Sequence, residues 1–198
     1  DGGRAVFLLD PDSHQSFKDL LGHWGIIVGD RTLVDEYSSV TGDPRTPLLQ
    51  SDQYLGATPI TDPLDVTFFP GATPLGIPQE FQEDPRKQPP WVQYLPLAST
   101  SFVSWATSDL ERNTFRAGED QAGPLPLAMA MRATSTLEEE PATLPLNTSP
   151  KVTSLVVIGD SDFATNRYFP AFTNGDLLLN TVNWLAEDYS LIALRPKP

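Results

Sequence analysis

The sequence predicts one α/β domain, a three-layer sandwich built on a mostly parallel central sheet. Three observations carry that expectation. Two continuous apolar runs, RAVFLLD at 4–10 and VTSLVVI at 152–158, lack the alternation of a half-exposed strand and read as strands buried on both faces. Stretches with apolar residues at helical spacing lie downstream of each. Strand and helix patterns therefore alternate, and βα crossovers place helices on the faces of a parallel sheet.

Taken in order, the run at 4–10 closes on Asp10 and Pro11, as a strand entering a loop does. Phe17, Leu20, Leu21 and Trp24 follow at i, i+3, i+4 and i+7, with Ser13 or Ser16 as N-cap and Gly25 as the stop. Short strands are expected at 26–28 and 32–34, flanking a Gly29-Asp30 turn. From Gly42 to Pro90 the chain is dense in Pro and Gly, with VTFF at 66–69 as the strong strand signal. Long surface loops are expected there, and the six prolines of 70–90 suggest an exposed flap. WVQYLPLA at 91–98 and LAMAMRA at 127–133 are further strands, and the acidic stretch 134–150 reads as a loop. After the strand at 152–158, Asn174 is placed to cap a helix with Asp176 in its first turn and Leu178, Thr181, Val182, Trp184 and Leu185 on its apolar face. SLIAL at 190–194 reads as a closing strand. No internal repeat is visible.

Composition narrows the function. With 198 residues, 39% hydrophobic and 20% charged, the chain can bury a single sizeable core. Its 26 acidic and 13 basic residues give a net charge of -13, which repels phosphate backbones and anionic lipid, so nucleic acid is not an expected partner. The absence of cysteine excludes disulfides, thiolate catalysis and iron–sulfur ligation, and with two histidines a zinc site is not expected either. No apolar stretch nears the roughly 20 residues of a membrane span, and the N-terminus lacks a signal-peptide pattern. A start at Asp1 in place of Met, and the ending at RPKP, suggest one domain of a longer chain.

Two acidic motifs occupy equivalent places: Asp10-Pro11-Asp12-Ser13-His14 after the first strand and Gly159-Asp160-Ser161-Asp162 after a late one. Ligands of open parallel sheets bind outside the carboxyl ends of the strands, so both motifs are expected to line one crevice. The candidate ligand or interaction residues are thus Asp10, Asp12, Asp160, Ser161, Asp162 and Asn166. The plain alternative is that Asp10 and Asp160 cap loops and helix starts, as aspartates do.

Two catalytic readings can be set against this. The strand-Asp-x-Asp and late strand-Gly-Asp-Ser patterns resemble the first and last motifs of haloacid-dehalogenase-like phosphohydrolases, which implies Asp10 as nucleophile, Asp12 as acid/base, and Asp160 and Asp162 as holders of Mg²⁺. Ser13 stands where that family usually has Thr or Val, and Lys151 lies too close to the late strand to neutralise a phosphate. Ser161 in Gly-Asp-Ser resembles the esterases named for a Gly-Asp-Ser-Leu block, but His14 and His23 both precede it, the reverse of that family's order. Glu138-Glu139-Glu140, Phe68-Phe69 and Pro89-Pro90-Trp91 read as a solvated face and as packing. No Gly-rich phosphate loop of either common spacing is present.

The end blocks carry a wider resemblance. VTSLVVIGDSDFATNRYF, then NGDLLLNTVNWLAED, and the opening GGRAVFLLDPDS with WGI and Val34-Asp35, resemble the GldG-like auxiliary components of gliding-motility and uncharacterised ABC-type transport systems. The resemblance implies a flavodoxin-like or class I glutamine amidotransferase-like fold. It implies an extracytoplasmic domain at the cell membrane, tethered by segments outside this sequence, with the transporter's membrane and ATPase subunits as partners. It implies binding or scaffolding without catalysis and without a cofactor, since the amidotransferase nucleophile is a cysteine. A saccharide- or peptide-binding domain is the third reading.

Overall fold

Residues 2–37, 42–56, 58–134 and 151–186 are described by the computed structural model. The first apolar run forms strand β1 (Arg4–Leu8) and the late one β11 (Val152–Ile158), and the two pair in parallel, Arg4 opposite Ser154 and Leu8 opposite Ile158. Strand β10 (Pro126–Thr134) runs antiparallel to β11 and to β7 (Val92–Ser99). The principal sheet has the order β1-β11-β10-β7.

Its residues alternate between two cores, as the strand period of two requires. Val6, Leu8, Ala128, Ala130, Val156 and Ile158 belong to one cluster, which takes in helix α3 (Asn174–Ala186) through Leu177, Trp184 and Leu185. Ala5, Phe7, Leu9, Met129, Met131, Leu155 and Val157 belong to the other, which takes in helix α1 (Gln15–His23) through Leu21 and the adjoining Trp24. Burial on both faces explains why β1 and β11 read as unbroken apolar runs.

The expected three-layer, mostly parallel, flavodoxin-like sandwich is overturned by this topology. The principal sheet is mixed, with one parallel and two antiparallel pairings. The other strands form small antiparallel sheets: β2 (Ile27–Val28) with β6 (Leu75–Gly76), β3 (Thr32–Val34) with β8 (Trp105–Thr107) and β9 (Gln121–Ala122), and β4 (Leu48–Leu49) with β5 (Thr67–Phe68). The physical reason lies in the connections. The β1-α1 unit does not return to the sheet, because β2 leaves to pair with β6; and β7 and β10, being antiparallel, need no crossover helix. Periodicity identifies buried strands but not their direction.

Several local expectations change too. The segments at 26–28 and 32–34 flank a turn but do not pair with each other. Phe17 and Leu20 are about half exposed, because the short α1 meets the sheet only at its Leu21 end. In α3 the buried stripe is Leu177, Thr181, Trp184 and Leu185, a clean i, i+4, i+7, i+8 pattern that turns Val182 outward. The Pro-rich region 42–90 is not a surface excursion: Leu49, Ile60, Leu64, Phe69 and Ala72 are core, and 70–90 contributes β6 and the short helix α2 (Gln79–Glu83). Proline removes amide donors, so this region folds as two-residue pairings and turns with little ladder to maintain. The acidic loop (apart from Thr134) and the SLIAL segment lie outside the described residues.

Candidate functional site at the carboxyl edge of the sheet

Strands β1, β11 and β7 all point the same way, so the turns after Leu8, Ile158 and Ser99 share one edge. That edge brings the two acidic motifs together. Leu9 donates its amide to the Ile158 carbonyl, extending the pairing one residue beyond β1 and placing Asp10 beside the following turn. There Asp10 accepts from Ser161 twice: Oδ1 from the amide at 2.8 Å and Oδ2 from Oγ at 2.5 Å. The Asp10 amide donates to Ser13 Oγ at 2.8 Å, which folds the acidic loop back on itself.

Asp160, next in the same turn, has no exposure. Its Oδ1 accepts the Asp162 amide at 2.8 Å, while Oδ2 is buried without a hydrogen-bond partner. Burial pushes this carboxyl up to about 8, opposed by the Asp162 amide and reinforced by the charges of Asp10 and Asp162. At neutral pH Asp160 is mainly an uncharged acid. The neighbouring Gly159 is required by packing: a Cβ there would stand 2.1 Å from the Thr73 carbonyl oxygen. Thr73 in turn donates its amide to the Gly159 carbonyl at 2.6 Å, binding the β6 segment to the edge.

Of the six sequence-predicted residues, then, Asp10, Asp160, Ser161 and Asp162 are brought into one turn pair, while Asp12 and Asn166 are exposed on the loops beyond. Among the described residues no group of three or more His, Asp or Glu side chains is arranged to hold a metal ion. Ser161 Oγ faces Asp10, not a histidine. His14 accepts the Ser16 amide at 3.2 Å and so occupies the N-cap expected for Ser13 or Ser16, and His23 is bonded to the Asp19 carbonyl at 2.7 Å.

The structure adds Lys18 and Ser101, which sequence reasoning does not single out, and gives Asp35 and Asn174 partners that it does not foresee. Lys18 reaches from α1 to donate to the carbonyls of Pro11 and Gly29 at 2.6 and 2.7 Å, fastening the loop after β1. A second clamp repeats the first at the end of β7. Asp35, fully buried after β3, accepts the Ser101 amide at 2.9 Å on Oδ2 and Ser101 Oγ at 2.7 Å on Oδ1, and also the Tyr37 amide at 3.2 Å. The sequence signal was present in Val34-Asp35, a strand closing on an acid as β1 does, though nothing local marked Ser101 as its partner. Asn174 is likewise not a simple cap: its side chain accepts from the Phe68 amide at 3.0 Å and donates to the Phe68 and Tyr168 carbonyls at 3.2 and 3.3 Å.

Beside the second clamp lies a cavity of about 500 Å³, between the turn after β7 and the 3-10 turn Ser51–Gln53. No helix among the described residues is long and apolar enough to cross a membrane. No family model matches the chain, and no curated protein matches it. Among solved structures, the mmIFT52 N-terminal domain superposes with a TM-score of 0.54 over 93% of this chain, at 15% identity. This chain spans 65% of that one, and the likeness is one of overall fold.

Proposed function

We propose that this chain is a non-enzymatic binding and scaffolding domain, serving on the extracytoplasmic side of the membrane as part of an auxiliary subunit of an ABC-type transport system. The GldG-like motifs at both ends of the sequence supply the transport assignment. The observation that carries the non-catalytic part is the Asp10–Ser161 clamp: the carboxylate that a phosphohydrolase would use as nucleophile receives both donors of the serine that an esterase would use. Both Asp10 oxygens are tethered to the neighbouring turn, and both histidines, His14 and His23, are bonded on helix α1, so no imidazole stands beside Ser161 Oγ to take its proton. The acidic turns support a structural junction from which the surrounding loops are displayed.

Two measurements test the reading. Hydrolysis of p-nitrophenyl phosphate with Mg²⁺, and of p-nitrophenyl acetate, is expected to stay at the buffer rate for the wild type and for Asp10→Asn alike; turnover abolished by that substitution refutes it. The full-length protein is expected to co-purify from detergent extracts with the membrane and ATPase subunits of a transporter encoded beside it. Its isolation free of both defeats the transport assignment.

A further inference from the structure

The turn after β7 is held more firmly than a solvent loop requires. Asp35 clamps Ser101, Ser104 Oγ donates to the Ser101 carbonyl at 2.7 Å, and Thr100 Oγ1 lies 2.6 Å from Ser104 Oγ and accepts the Leu125 amide at 2.9 Å. On the opposite wall, Gln53 donates to the Ser99 carbonyl at 3.4 Å and accepts the Gln50 amide at 3.1 Å, and the Leu55 amide donates to Leu97. This fastened frame pushes apolar groups into water: Phe102 is 87% exposed, Val103 59% and Tyr37 83%. Phe102 and Val103 lie on the clamped turn and Tyr37 two residues past Asp35, and the three line one cavity; apolar exposure grouped in this way marks interaction sites.

The cavity they border has the size of a small-molecule site. Its walls combine Phe102, Tyr37, Val103 and Leu55 with the exposed carboxylate of Asp52, and among the described residues no Lys or Arg lines it. Aromatic faces carry the negative side of a quadrupole and attract cations, more so beside a carboxylate. The net charge of -13 draws cations to the molecule and repels anions. We infer that this cavity at the carboxyl end of β7 binds a small organic cation, an ammonium or guanidinium on an apolar body, with the charge set between Asp52 and the rings of Phe102 and Tyr37 and the body against Val103 and Leu55. The inference rests on the reading of this chain as a binding domain and not on which assembly it serves, so its failure leaves the co-purification result to stand by itself.

Titration of the ¹⁵N-labelled protein with phenethylammonium, 2-phenylethanol and 3-phenylpropionate, three probes of like shape and different charge, tests it. Phenethylammonium is expected to saturate at about 1 mM, in the range a ligand of its size can reach, with shifts at residues 50–55 and 99–103. The neutral alcohol should bind at least about fivefold more weakly, the difference one exposed cation–π and carboxylate contact supplies, and the anion should not saturate. Asp52→Asn and Phe102→Ala should each weaken the ammonium about fivefold, and Phe102→Tyr should keep it; both positions are exposed, so unchanged melting curves establish that the variants fold. Equal binding of amine and alcohol, shifts confined elsewhere, or variants that bind like wild type each overturn the inference.

Discussion

Asp160 offers the sharpest test of the site. Its carboxyl is raised from 3.8 to about 8 in the fold, first by burial and then by the charges of Asp10 and Asp162. The folded state therefore holds a proton that the unfolded chain releases near pH 4. Between those values the native state binds more protons, so stability falls as pH rises, with a limiting slope of about 1.4 kcal/mol per pH unit. From pH 5 to pH 8 that amounts to about 3–4 kcal/mol, the slope flattening as the folded group itself ionises. The stability this acid contributes is present below its unfolded value and is fully lost once pH passes 8. Asp160→Asn removes the titration and keeps an oxygen for the Asp162 amide, at a pH-independent cost for burying an extra N–H pair. The assay is urea unfolding of both proteins at unit steps from pH 5 to pH 9, with the difference in unfolding free energy plotted against pH. All other groups titrate in both chains and cancel. The variant is expected to gain on the wild type by about 3–4 kcal/mol over pH 5–8. Parallel curves would mean that Asp160 is already ionised at neutral pH and that the burial argument is wrong.

The two clamps and their packing give further expectations. Asp35→Ala strands the Ser101 and Tyr37 amides around a fully buried site and is expected to cost about 3–5 kcal/mol, whereas Asp10→Ala, nearer to solvent, should cost about 2–3 kcal/mol; chemical denaturation ranks them, and the reverse order contradicts the burial assigned here. Gly159→Ala must displace the Thr73 backbone from the sheet edge and is expected to lower stability by about 3 kcal/mol or more, read as loss of the cooperative melt, with a wild-type-like curve refuting the close approach.

What could be read from the sequence was whatever depends on near neighbours. The limits of β11, the existence of β1, α1, β7, β10 and α3, and the meeting of the Asp10 and Asp160 turns follow from apolar period and from residues at strand ends. What failed was what depends on distant partners. The strand β10 has the same composition whether it runs parallel or antiparallel, because it is buried on both faces either way. The 42–90 region looked like surface because Pro and Gly dominate it, yet Leu49, Ile60 and Phe69 anchor it in the core at irregular spacings that no single period detects. Ser101 was unreadable for the same reason: its partner Asp35 is 66 positions away.

The repeated clamp explains how a mixed sheet can present a fixed edge without the crossover helices of a parallel one. In a parallel sheet, helix N-termini close the carboxyl edge and supply amides to whatever binds there. Here α1 begins beyond the Asp10 loop, and β7 is followed by β8, not by a helix. The turns at 161 and 101 therefore need other acceptors for their amides and hydroxyls, and Asp10 and Asp35, each one or two residues past a strand, supply them. An aspartate used in this way fixes the neighbouring backbone. The aspartates thus set the positions of the loops and of what the loops carry outward: Phe102 and Val103 stand exposed just beyond the Asp35–Ser101 clamp.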